Sequence, residues 1–186
     1  MELFPRLELG WLNGWIPLGL LYMVFGILMA TFPKNVVKRL YDKSDRGPSP
    51  LALRITGKLI AIVCFGLIIF TPLKVGDNVF VLGGILFALG LAGLIIALFN
   101  FKNTPLDQPV TRGFYEISRN PQIFSITISL LGICIATGSL AATFLLIVAL
   151  FFSHSRILAE EKACLTQYGD SYRNYMKRVP RYLLFF

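Results

Sequence analysis

The run NPQIFSITISLLGICIATGSLAATFLLIVALFFSHS, Asn120 to Ser155, decides the fold. In this stretch the only side chain able to carry a positive charge is His154. As one straight helix it would reach about 54 Å at 1.5 Å per residue, far more than the roughly 30 Å of hydrocarbon in a bilayer. Gly138-Ser139, near its middle, supplies a turn. The run therefore reads as a tight hairpin of two short membrane helices, 122–138 and 140–154.

Working outward, three more stretches carry no formal charge: Leu9 to Pro33, Leu59 to Leu73 and Asn78 to Phe101. The first and third are long enough to span, and the second becomes so with its flanking Gly57 and Lys58. Spans at 11–32, 57–73 and 79–100 bring the expected total to five. Composition agrees. Of 186 residues 55% are hydrophobic and only 15% charged, with a mean hydropathy of +0.68. Soluble domains usually carry about 25% charged residues, so a water-soluble globule is excluded. The expected class is an all-α integral membrane protein with amphipathic C-terminal helices at the cytoplasmic surface. A single membrane domain, 1–186, is expected, with three spans in 1–101 and the hairpin with its flanking polar blocks in 102–186. The first apolar run reads as a span rather than a signal peptide, because Glu2 and Glu8 offset Arg6 and the run is too long.

The net charge of +8 would elsewhere raise nucleic acid as a partner. Here the lysines and arginines are distributed as a membrane protein distributes them. Seven lie from Lys34 to Lys58, three from Lys102 to Arg119 and six from Arg156 to Arg181, which leaves only Arg6 and Lys74. Cytoplasmic loops attract positive residues. Five spans put those sixteen on the cytoplasmic side, with the N-terminus outside and the C-terminus inside. No nucleic-acid partner is expected. Tyr182, Phe185 and Phe186 suit the membrane interface. Cys64, Cys134 and Cys164 have no disulfide or zinc spacing, and no metal is expected. Gly83, Gly84, Gly90 and Gly93 read as small residues for close helix packing, and His154 as a polar anchor at the end of a span.

Two polar blocks flank the hairpin. Before it lies Thr104 to Pro121, where Gly113 and Pro121 suit a loop whose backbone approaches a ligand. Arg119 stands there near a helix N-terminus, a place suited to anionic groups; the alternative is a snorkelling arginine. After it lies Ser155 to Pro180. Arg156 and Glu160 share a helix face at i,i+4, Gly169 reads as a helix stop, and Leu165, Tyr168, Tyr172, Tyr175 and Val179 recur at helical spacing. Glu160-Glu161 is either a solvated helix face or a pair that holds the amine or hydroxyls of a ligand, and periodicity does not choose.

Taken in order, these blocks resemble the integral-membrane methyltransferases that include isoprenylcysteine carboxyl methyltransferase and the phospholipid N-methyltransferases. The motif positions are Gly113 and Tyr115, then Arg119-Asn120-Pro121 and, past the hairpin, Arg156, Glu160-Glu161, Leu165, Tyr168-Gly169, Tyr172 and Tyr175. Ile123 stands where the family usually has tyrosine, and Asn120 where many members have histidine. The resemblance implies S-adenosylmethionine as cofactor, held by Gly113, Tyr115, Arg119, Asn120, Pro121, Glu160 and Glu161. It implies a lipid-like or prenylated acceptor arriving from the membrane, near Arg156, Tyr172 and Tyr175, with Arg119, Arg156 and Glu160 serving the reaction. In a bacterium or archaeon the site would be the cytoplasmic membrane. Two other readings stand beside it: an NADPH-dependent enzyme like the sterol reductases, whose C-terminal ends have a similar acidic-Tyr-Gly-Val-Pro pattern, and a non-catalytic membrane scaffold.

Overall fold

A computed structural model describes residues 1–42 and 51–183. Lys43, Arg46, Phe185 and Phe186, which figure in the charge count and the interface reading, lie outside them. The elements are α1 (Trp15–Thr31), α2 (Lys34–Tyr41), α3 (Leu51–Phe70), α4 (Asn78–Lys102), a single 3-10 turn (Gly113–Glu116), α5 (Pro121–Ala136) and α6 (Leu140–Arg178). Among the described residues there is no named strand. Helices α3, α4 and α6 are long and apolar enough to cross a membrane, and α1 and α5 are shorter apolar helices. This is an all-α integral membrane protein.

Successive apolar helices run in opposite directions. One end of the bundle gathers the α3–α4 connection, the α5–α6 turn and the N-terminal segment. The Glu2 N–H donates to the Gly138 carbonyl at 2.8 Å, Leu140 N–H donates back to Glu2 at 2.9 Å, and Leu73 N–H donates to Leu12 at 2.8 Å. Glu2 also pairs with Lys74. Gly138 makes the turn with φ at +68°, a left-handed conformation that glycine adopts without strain. Ser139 then caps α6 by accepting from Ala142 N–H at 3.2 Å. α2 and both polar blocks lie at the other end. The two basic residues left over by the charge count, Arg6 and Lys74, thus belong to the end away from those blocks.

The hairpin is present, and its arms pack on other helices more than on each other: α5 lies along α4, and α6 along α3, while Ile133 and Cys134 of α5 share a core cluster with Ala142 and Leu146 of α6. The α4–α5 seam is built on small residues. A Cβ at Gly83 would come within 2.5 Å of Ala136 N and Gly132 O, and one at Gly90 would overlap the backbone of Ser129. Gly93 faces Ser125 in the same way. In a membrane, where lipid tails are as apolar as leucine, such close approach is what holds helices together. Gly84 departs from this reading, with nothing within 4 Å of its Cβ position.

α6 departs most from the expected boundaries. In place of a short arm ending near residue 154, it continues without a break to the non-helical Gly169 (φ +55°) and on to Arg178. Residues 155–168 are rich in Leu, Ala, Glu, Lys and Arg, all strong helix formers, and nothing before Gly169 stops them. The helix therefore runs past its apolar stretch and carries Glu160 and Glu161 out to the polar end.

Candidate active site

The extension of α6 brings the second block against the first. Segment 118–120 is tied to the chain's last turn: Arg119 N–H donates to the Pro180 carbonyl at 3.0 Å, and the Ser118 hydroxyl and Asn120 amide donate to the Arg181 carbonyl at 3.0 and 3.4 Å. Pro121 opens α5, where its missing N–H costs nothing. Arg119 is thereby aimed inward. Its Nη1 stands 3.4 Å from Glu161 Oε1, with side chains only 3% and 5% exposed. Arg181 Nε and Nη2 hold the other carboxylate oxygen at 3.0 and 2.8 Å, which raises the Arg181 pKa. This arginine–glutamate–arginine triad is incomplete. Among the described residues Arg119 Nε is buried with no hydrogen-bond partner and Glu161 Oε1 has only its ion pair to Arg119, and a buried polar group left short of partners is costly.

The triad lies on the wall of a cavity of about 470 Å³, within the range typical of small-molecule sites. Its lining includes Tyr115, Arg119, Asn120, Pro121, Gln122, Ile123, Glu160, Glu161, Tyr172 and Tyr175. A network of phenols stiffens the wall. The Tyr115 hydroxyl accepts from Gln122 Nε2 at 2.9 Å, and the Tyr175 hydroxyl donates to the Tyr115 carbonyl at 2.7 Å. The Tyr172 and Tyr175 rings meet at 5.6 Å between centroids. Burial pushes the pKa of Tyr115, Tyr172 and Tyr175 up. Burial, then Glu160, also raises that of Cys164. These groups stay protonated near neutrality, so the site offers oriented hydrogen bonds and fixed charges.

Of the ten residues to which the resemblance gives a role in the site, eight line this cavity and two do not. Gly113 is absent from the lining. With φ at +64° it packs against Asn100, whose amide a Cβ would overlap, so its role is to shape the turn that delivers Tyr115. Arg156 also lies off the lining. Its side chain is 60% exposed, and its Nε stands 3.7 Å from Glu160 Oε1. Of the two alternatives left open for Glu160-Glu161, the solvated face does not hold for Glu161, because one helical position turns it into the triad while Glu160 stays at the rim. His154 is tied to the Tyr182 hydroxyl at 2.8 Å, in keeping with an anchoring role.

The structure adds residues that the two blocks did not reveal. Arg181 had counted only as one basic residue in a positive tail, and its pairing with Glu161 depends on the chain turning back after Pro180. Asn35, Lys38 and Arg39 of α2 also line the cavity. A signal for them existed: Val36, Val37 and Leu40 make one face of α2 apolar, which turns the other toward a polar space.

Residues 67–171, more than half of the chain, match the family described as phospholipid methyltransferase. The chain belongs to that family. The phospholipid methyltransferase match runs from the end of α3 past the Gly169 break, so it takes in α4, the first block, the hairpin and Glu160-Glu161. Among curated proteins, the protein-S-isoprenylcysteine O-methyltransferase of Schizosaccharomyces pombe is 36% identical over 72 residues, 38% of this chain and 30% of that protein. The chain thus spans less than a third of the length of the curated relative it matches. No solved structure matches it significantly.

Proposed function

We propose that this chain transfers a methyl group from S-adenosylmethionine to an amphiphilic acceptor, isoprenylcysteine-like or phospholipid-like, that arrives from the membrane. The observation that carries the reading is the incomplete triad. Two buried polar atoms without a hydrogen bond, Arg119 Nε and Glu161 Oε1, the latter held only by its ion pair to Arg119, belong to residues that line the cavity beside donors and aromatic rings. Their chemistry fits the cofactor's amino-acid part, with a guanidinium for a carboxylate and a carboxylate for an ammonium or ribose hydroxyls. Tyr115, Asn120, Pro121 and Glu160 complete that wall. Gly113 supports it from behind. When bound, S-adenosylmethionine supplies a methyl group on a sulfonium, activated for displacement.

The protein's task is then mainly alignment, which supplies much of the acceleration in a two-reactant reaction. Arg181 holds Glu161 from one side, so that its second oxygen is presented to Arg119 and the cavity. Tyr172 and Tyr175 close the wall and exclude water. Arg156, at the rim with Glu160, faces the side from which the acceptor comes. No protonatable histidine is needed for a carboxylate or thiolate acceptor, and an amine must arrive unprotonated. The reading also orients the chain, with the C-terminal end cytoplasmic, the N-terminus outside and catalysis carried by 102–186 with α2.

Ligand-induced stabilisation tests it. S-adenosylhomocysteine at 100-fold over its Kd should raise stability by about 2.7 kcal/mol, while NADPH should not. Stabilisation by NADPH alone would overturn the reading in favour of a reductase.

A further inference from the structure

The wall contributed by α2 lies outside residues 67–171, the part that matches the family. It is held from two sides. Val36, Val37 and Leu40 belong to one apolar cluster with Phe32, just past the end of α1, and with Leu94 and Leu98 in the last third of α4. On the other side Arg39 donates to the carbonyls of Thr104, Pro105 and Gln108 at 3.3, 3.0 and 2.6 Å and to the Tyr168 hydroxyl at 3.1 Å. Its guanidinium also lies 5.0 Å over the Phe101 ring. Arg39 therefore fixes which face of α2 looks into the cavity.

Among the described residues, six charged side chains line that cavity. Arg39 is engaged through both terminal nitrogens, Arg119 and Glu161 belong to the triad, and Asp42 and Glu160 are engaged as well. The sixth, Lys38, is exposed and has no hydrogen bond or ion pair among the described residues. We infer that α2 is the acceptor-selecting wall and that Lys38 receives an anionic group, a carboxylate or a phosphate, on the amphiphile. The acceptor role rests on the methyl-transfer reading, whereas the contact itself does not. Because the apolar face of α2 is buried among the ends of membrane helices, Lys38 sits at headgroup depth. A charge met there is attached to a chain that lies in the bilayer.

Cys164, also on the cavity wall, reports occupancy without turnover when the labelling is run at alkaline pH, where its thiolate forms. The full chain in zwitterionic nanodiscs is labelled with a maleimide in the presence of dodecyl phosphate, dodecanoate, dodecanol or dodecyltrimethylammonium. At least one anion should protect Cys164 at a ten-fold lower concentration than dodecanol, and the order of the two anions identifies phosphate or carboxylate as the preferred group. Lys38→Gln should abolish the gap and Lys38→Arg should keep it, with thermal midpoints unchanged. Equal protection by dodecanol in the wild type, or a gap that survives in Lys38→Gln, overturns the proposal. S-adenosylhomocysteine binding in the same samples separates the two readings, since its failure in the wild type defeats methyl transfer and leaves the Lys38 gap to be judged separately.

Discussion

Arg119 and Glu161 are separated in sequence by the whole α5–α6 turn, yet their side chains meet at 3.4 Å in a nearly solvent-free setting. The pairing follows from two features of the chain. The hairpin returns α6 to the end it left, and α6 stays helical long enough to carry Glu161 back to the start of α5. A third charge, Arg181, closes on the same carboxylate only because the last turn lies against Ser118–Asn120.

Glu161→Gln should therefore have two effects. It removes the charge that two arginines share, and breaking a buried pair by deleting one partner costs about 3–5 kcal/mol. A glutamine retains some hydrogen bonding, so a loss near 3 kcal/mol is expected in denaturation. Binding of S-adenosylmethionine should weaken about ten-fold, the worth of one charge-assisted hydrogen bond. Wild-type affinity in this variant, measured by calorimetry, would refute the assignment of Glu161 to the cofactor.

Arg156→Ala should behave differently. Its partner Glu160 is 3.7 Å away and its own side chain is largely in solvent, where such pairs contribute only about 0.2–1 kcal/mol. Stability should fall by no more than about 1 kcal/mol and cofactor affinity should stay within about two-fold, while KM for a membrane acceptor rises several-fold. A parallel loss of cofactor affinity would move Arg156 into the cofactor site.

The α4–α5 seam makes a prediction about folding. Gly90→Leu has no space, since even a Cβ would meet the Ser129 backbone, whereas Gly84→Leu points away from every neighbour. Overpacking costs roughly 1–3 kcal/mol. The first variant should lose that much in thermal unfolding in detergent and the second almost nothing. Equal tolerance would show that α4 and α5 do not meet as described.

Topology can be tested independently. Residue 2 is bound to the α5–α6 turn, while residues 180–181 are bound to the start of α5, at the other end. A C-terminal reporter should be cytoplasmic and an N-terminal one outside. Finding both on one side would require a helix to re-enter rather than cross.

Much of this was legible from charge and length. The absence of charge from Asn120 to Ser155, with Gly138-Ser139 inside it, suffices for the hairpin, because neither one helix nor two long ones fit the bilayer. The family resemblance picked out Tyr115, Arg119, Glu161, Tyr172 and Tyr175, and the fold brings these five to one cavity. What periodicity could not resolve is which side of α6 each carboxylate takes relative to neighbours far away in sequence, so Glu161 as a buried partner of Arg181 was invisible. The role of α2 was hidden for the same reason. Eight residues with lysines and arginine look like a positive-inside loop until Arg39 finds its carbonyls across the cavity.

The phenols of the wall give a last prediction, in pH. Tyr115, Tyr172 and Tyr175 have pKa values raised by burial, above the tyrosine reference of about 10. The folded state therefore keeps these protons at a pH where the unfolded chain releases them. By linkage, a group whose folded pKa is raised contributes stability that is intact below its unfolded pKa and lost as pH climbs through it. Stability should be flat in these groups up to about pH 10 and then fall by about 1.4 kcal/mol per pH unit for each tyrosine, so the three together give a steep alkaline transition. Tyr115→Phe removes one of the three and also the acceptor for Gln122. It should lower stability at neutral pH by about 1 kcal/mol while making the alkaline slope shallower by one proton. Urea denaturation between pH 8 and 11 reads both quantities. An unchanged slope in Tyr115→Phe would mean that this phenol ionises as freely in the folded protein as in the unfolded chain, and that the wall of the cavity is open to water.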